Sequence, residues 1–75
     1  MENQQPTAAE NFHKQGEAYL SQRKLDEAIA SCELAIKIEP GYAPPYKTIG
    51  NALQGKGQLE AAENWYKKAI EIKSD

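Results

Sequence analysis

Three observations point to an all-α chain of two helix–turn–helix hairpins, four antiparallel helices in all. Apolar residues recur at spacings of three and four in four separate stretches, which is the period of a helix with one face turned to a core. Most of the pattern of Leu25 to Gly41, LDEAIASCELAIKIEPG, returns in Leu59 to Ile72, LEAAENWYKKAIEI. Leu25 matches Leu59, Ala28 matches Ala62, Ala35 matches Ala69, Ile36 matches Ile70 and Ile38 matches Ile72, each pair 34 residues apart. Short polar or Gly/Pro breaks separate the stretches, and short breaks force successive helices to lie antiparallel.

The elements follow in order. Residues 1–7 form a polar, aperiodic leader, of the kind that frays. Thr7-Ala8-Ala9-Glu10 matches a capping box, in which the threonine hydroxyl accepts from the Glu10 amide while the carboxylate reaches back. The helix it starts carries Ala9, Phe12, Gly16, Tyr19 and Leu20. A glycine inside a helix costs roughly 1 kcal/mol against alanine, so Gly16 implies a close packing contact. Ser21 to Lys24 is a polar break. The second helix has Asp26 and Glu27 in its first turn and Lys37 near its end, each with the sign that favours the helix dipole. Pro40-Gly41 stops it, with Gly41 read as a left-handed turn. Pro44 and Pro45 are tolerated in a first helical turn, and Tyr46, Ile49, Gly50 and Leu53 form the apolar face of the third helix. Gly55-Lys56-Gly57 is read as the next turn, and Leu59 to Ile72 as the fourth helix. Helices this short are marginal singly in water, so packing must hold them.

With 75 residues, 40% hydrophobic and 27% charged, at net charge −2, the composition is that of a small soluble domain. Such a chain buries only about 60% of its unfolded surface. No run of like charge points to nucleic acid or a membrane surface, and no apolar stretch approaches the ~20 residues of a bilayer span. The N-terminus lacks the layout of a signal peptide. With a lone Cys32 unable to form an internal disulfide, this suggests a cytoplasmic location.

The 34-residue offset also aligns Ala9 with Ala43, Phe12 with Tyr46, Gly16 with Gly50 and Ala18 with Ala52. A helix–turn–helix repeat of this period resembles the tetratricopeptide repeat, or TPR. The first copy, residues 8–42, offers Phe12, Gly16, Tyr19, Ala28, Ala35 and Pro40 to that pattern and departs at Gln15 and Cys32. The second, residues 43–75, offers Tyr46, Ile49, Gly50, Ala62, Tyr66 and Ala69 and departs at Leu53 and Ser74. The resemblance implies a short right-handed solenoid. In it, Gly16, Ala18 and Ala28, and likewise Gly50, Ala52 and Ala62, are small where helices approach, and the rings fill the space between them.

No catalytic residue, cofactor site or metal site is read from the chain. A Cys32–His13 nucleophilic dyad gives way to the reading of a core thiol and a surface imidazole. Metal binding needs three or four convergent ligands, and Gly55-Lys56-Gly57 lacks the spacing of a phosphate loop. In TPR arrays the first helix of each repeat lines a concave groove. The resemblance therefore implies ligand-facing residues Glu10, His13, Lys14, Glu17 and Leu20 on the first helix, and Pro44, Lys47, Thr48, Asn51 and Gln54 on the third. The first set is mostly acidic and the second has Lys47 and no acid, a polarity suited to fixing the direction of an extended peptide. Lys47 and Asn51 are similar to the pair with which some family members clamp a C-terminal carboxylate. That clamp needs further Asn, Lys and Arg on following repeats, and Glu17 would repel a carboxylate, so a generic polar groove is the reading.

On the last helix Trp65, Tyr66, Ile70 and Ile72 suggest a self-association face. Glu63 and Lys68, in place of Ile29 and Leu34, make that helix more polar, as a terminal unit requires. The functional expectation is a protein–protein interaction module for a peptide or partner protein, within a longer array or multidomain protein. The alternatives are a self-associating structural unit, as a homodimer, or the regulatory scaffold end of an enzyme such as a glycosyltransferase or methyltransferase.

Overall fold

The computed structural model describes residues 5–73; the leader residues 1–4 and the departure at Ser74 lie outside it. Four helices follow one another, α1 (Ala8–Ser21), α2 (Leu25–Ile38), α3 (Pro44–Gly55) and α4 (Leu59–Lys73), with no strand among the described residues. α1 pairs with α2 and α3 with α4. The two hairpins stack through α2 on α3, with a smaller approach of α1 to α3.

The helix starts follow from local chemistry. The Glu10 amide donates to Thr7 Oγ1 at 3.1 Å and the Thr7 amide donates to Glu10 Oε1 at 2.9 Å, completing the capping box of α1. α3 opens with both prolines in its first turn, where two amides would lack helical partners in any case. α2 ends at Ile38. The Tyr46 hydroxyl then donates to the Pro40 carbonyl at 2.6 Å, tying the loop between hairpins to α3.

Left-handed backbone falls elsewhere than expected. Gly41 has no positive φ; Arg23 (φ 64°) and Gly57 (φ 82°) do. They are equivalent residues of the two hairpin turns. The second turn also begins one residue later than its glycines suggest, because α3 runs through Gly55.

Cys32, Ile49, Leu53 and Ala62 form the buried core cluster, with Ile29, Ile36, Ala61, Trp65 and Tyr66 packed against it. The small residues set the spacing. A Cβ at Gly16 would lie 2.5 Å from Cys32 Sγ and 3.2 Å from the Ala28 carbonyl oxygen, and one at Gly50 would lie 2.6 Å from the Tyr66 ring. Ala18 differs from its assignment: it is exposed, whereas its counterpart Ala52 is fully buried. The face of α3 that carries Ala52 meets the preceding hairpin, and the same face of α1 meets none within the described residues. The hairpins are also tied by an ion pair between Lys56 and Asp26 at their turns.

Candidate functional site: a polar groove across the two hairpins

A groove of about 980 Å³ runs across α1, α3, the loop between hairpins and the end of α4. His13 and Thr48 form its floor, both buried, with a 2.9 Å hydrogen bond between His13 Nε2 and Thr48 Oγ1. This corrects the reading of His13 as a solvent-facing imidazole. Tyr42 stands edge-on to its ring, 5.9 Å between centroids, and Glu17 Oε2 lies 3.7 Å from the same Nε2. Lys47, at the equivalent place in the second hairpin, stays exposed because no further hairpin lies over it among the described residues.

The walls carry opposite charge. Glu17 from α1 and Glu39 after α2 line the side of the first hairpin; Lys47 from α3 and Lys73 from α4 line the side of the second. Partial burial, then the carboxylates of Glu10, Glu17 and Glu39, raise the Tyr42 phenol above its ordinary value. The acidic side therefore disfavours a further negative charge.

Of the sequence-assigned groove residues, His13, Glu17, Pro44, Lys47, Thr48 and Asn51 line this groove. Glu10 and Lys14 line an adjoining shallower recess, with His13, Glu17 and Tyr42. Leu20 and Gln54 line neither. Gln54 and Asn51 instead both lie within hydrogen-bond distance of the Tyr66 hydroxyl, Gln54 Oε1 at 3.0 Å. Sequence reasoning missed Glu39, Tyr42, Ala69 and Lys73. Tyr42 had a signal in its place directly after the Pro-Gly stop.

The four residues read as a self-association face do not share one face of α4. Tyr66 and Ile70 border the open side of α4, Ile70 at 66% exposure. Trp65 turns into its own hairpin, 5.8 Å from the Tyr46 ring and 5.5 Å from Lys68 Nζ. Ile72 is half-buried and, two residues after Ile70, is turned away from it on the helix.

Cys32 is fully buried, and burial, then Glu17 and Glu33, pushes its thiol up to about 12. That is the reverse of what a nucleophile needs, and His13 is committed to Thr48. Among the described residues, no group of His, Cys, Asp and Glu is placed to hold a metal, and no helix is long and apolar enough to cross a membrane.

Paired helices stacked at a fixed sequence offset beneath a concave groove define a helical-repeat scaffold. The chain belongs to the tetratricopeptide repeat family: residues 19–75 match that family's profile, described as Tetratricopeptide repeat. It is 32% identical over 62 residues to the tetratricopeptide repeat domain-containing protein PYG7, chloroplastic, of Arabidopsis thaliana, covering 83% of this chain and 21% of that protein. It is 34% identical over 70 residues to the small glutamine-rich tetratricopeptide repeat-containing protein 2 of Saccharomyces cerevisiae, covering 93% and 20%. Heat shock protein STI1 of the same yeast is 33% identical over 61 residues, covering 81% and 10%. The solved structure of the MamA protein superposes with a TM-score of 0.81 at 39% identity, covering 85% of this chain and 35% of that one. The chain thus spans about a fifth or less of the length of these curated relatives. Tetratricopeptide repeats are generally protein–protein interaction modules.

Proposed function

We propose that the groove holds an extended segment of a partner protein, as one binding unit within a longer polypeptide. The observation that carries this is the opposition of its walls, Glu17 and Glu39 against Lys47 and Lys73, across a floor in which His13 Nε2 and Thr48 Oγ1 bond each other. A ligand in such a groove meets acidic side chains on one side and basic side chains on the other. Charge complementarity of this kind gives register and selectivity more than raw affinity. A segment with basic residues toward the first hairpin and acidic residues, or a free carboxylate, toward the second fits it. The greater length of the relatives supports the place within a longer polypeptide.

Selection of short random peptides on the immobilised chain tests this. The expected result is a consensus with basic residues at one end and acidic residues at the other, and about tenfold weaker binding of a selected peptide to Lys47→Glu. Equal binding by wild type, Lys47→Glu and Glu17→Lys would show that the groove is not the site.

A further inference from the structure

The acids on the first hairpin's side of the groove converge on one ring. Tyr42 stands between the hairpins, half-buried, with its plane at 87° to the buried His13 ring and 5.9 Å between centroids. It borders both the groove and the adjoining recess, as do His13 and Glu17. Glu39 lines the groove and Glu10 the recess. Partial burial, and then the carboxylates of Glu10, Glu17 and Glu39, hold the Tyr42 phenol above its ordinary value, so all three acids act at the ring itself.

Among the described residues Glu17 and Glu39 pair with no lysine or arginine, and Glu17 reaches only His13 Nε2, at 3.7 Å. Glu10 is engaged by the Thr7 amide in the capping box. Lys14 borders the recess without an ion pair among the described residues, and Lys47 lines the opposite wall. Nor does the arrangement hang on what precedes or follows the two hairpins. Glu39 and Tyr42 lie in the joint between them. Asn51, the counterpart of Glu17, still lines the groove with a hairpin packed before it.

An aromatic face with unpaired carboxylates beside it attracts a cation, and the kind of cation follows from the mixture. A quaternary ammonium head is best enclosed by several rings, whereas here one ring is accompanied by acids. A guanidinium fits that set: its flat face lies on the ring while N–H groups in its plane reach the carboxylates. A lysine ammonium, compact and strongly hydrated, has no flat face to lay on the ring. On the reading that the groove holds a partner segment, we propose that Tyr42, Glu17 and Glu39 seat an arginine side chain of that segment, with Tyr42 selecting arginine over lysine.

Nuclear magnetic resonance titration of the isotope-labelled 75-residue chain at constant ionic strength tests this. The probes are N-acetylarginine methylamide, its lysine analogue and its neutral citrulline analogue. The arginine probe is expected to move the Tyr42 and Glu39 amide signals and to bind about threefold to fivefold more tightly than the lysine probe. The citrulline probe is expected to leave those signals in place. Tyr42→Leu, with its helical circular dichroism unchanged, should bind arginine and lysine alike, and Tyr42→Phe should keep the preference. Glu39→Gln, at an exposed position, should weaken both cations equally, about twofold. No movement with arginine, equal binding of arginine and lysine by wild type, an undiminished preference in Tyr42→Leu, or citrulline binding as well as arginine would overturn the proposal. The peptide selection judges the groove separately. A chain that takes the arginine probe at Tyr42 yet selects no charged peptide keeps the seat and loses the extended segment. Selected peptides in which lysine replaces arginine without loss keep the groove and lose the seat.

Discussion

Gly16 and Gly50 stand at the same place in the two hairpins but face different neighbours. Gly16 is walled by a fully buried Cys32 sulfur and by the Ala28 carbonyl, while Gly50 is walled by the edge of a half-exposed Tyr66 ring. Other equivalent pairs diverge in the same manner. Gln15 is exposed where Ile49 is buried, Lys14 is exposed where Thr48 is buried, and His13 is buried where Lys47 is exposed. A residue of this fold is therefore defined by two coordinates: its place in the repeat, and what lies on either side of that repeat. Among the described residues the first hairpin is covered on its C-terminal side and the second on its N-terminal side.

The largest test of that difference is at the seam. Ile49→Ala removes a side chain only 1% exposed and should cost about 2–5 kcal/mol, enough to unfold a domain this small outright. Ile49→Val, at about 1 kcal/mol, keeps the measurement on scale. Gln15→Ala should stay within about 0.5 kcal/mol, as exposed positions do. Urea denaturation of the three variants measures this, and equal losses at residues 15 and 49 would erase the asymmetry.

The two glycines give a smaller contrast. Alanine gains about 1 kcal/mol in helix propensity at either site. At Gly16 the added methyl meets a buried sulfur and a carbonyl that belongs to the α2 ladder, an overpacking that costs about 1–3 kcal/mol. Gly16→Ala should therefore be destabilising overall. At Gly50 the obstacle is the half-exposed Tyr66 ring, held through its hydroxyl by Asn51 and Gln54, and Gly50→Ala should also be destabilising, by less than Gly16→Ala, in the same urea measurement.

The hairpin turns provide the smallest contrast, with opposite signs. Arg23 holds a left-handed backbone that Gly57 adopts freely. Arg23→Gly should raise the thermal midpoint, by up to about 1 kcal/mol of stability, and Gly57→Ala should lower it by about the same amount. If both substitutions destabilise, side-chain contacts of Arg23 outweigh its backbone strain.

The repeat coordinate was legible in the sequence. The 34-residue offset, the Thr7–Glu10 box, the paired prolines and the helix-dipole signs are local or periodic signals, and the four helices follow from them. The second coordinate was not legible. Nothing in the neighbourhood of His13 announces that Thr48, 35 residues on, will bond it, nor that Ala18 is left open while Ala52 is closed. The left-handed turn at Arg23 escaped notice because glycine is the usual marker, and here only its counterpart carries one. Glu39 and Lys73 entered the groove from the ends of helices whose faces are otherwise spent on packing.

Among the described residues two polar side-chain ties join the hairpins besides their apolar seam: the His13–Thr48 bond midway along α1 and α3, and the Asp26–Lys56 pair at the turns. Two attachment points well apart resist rotation where a single one would act as a pivot. With the apolar seam between them, these ties favour one angle of hairpin on hairpin, and with it the pitch that further units placed on this template would inherit. Because angular increments accumulate along a solenoid, loosening either tie would change the curvature of a long array far more than it would change the stability of one repeat.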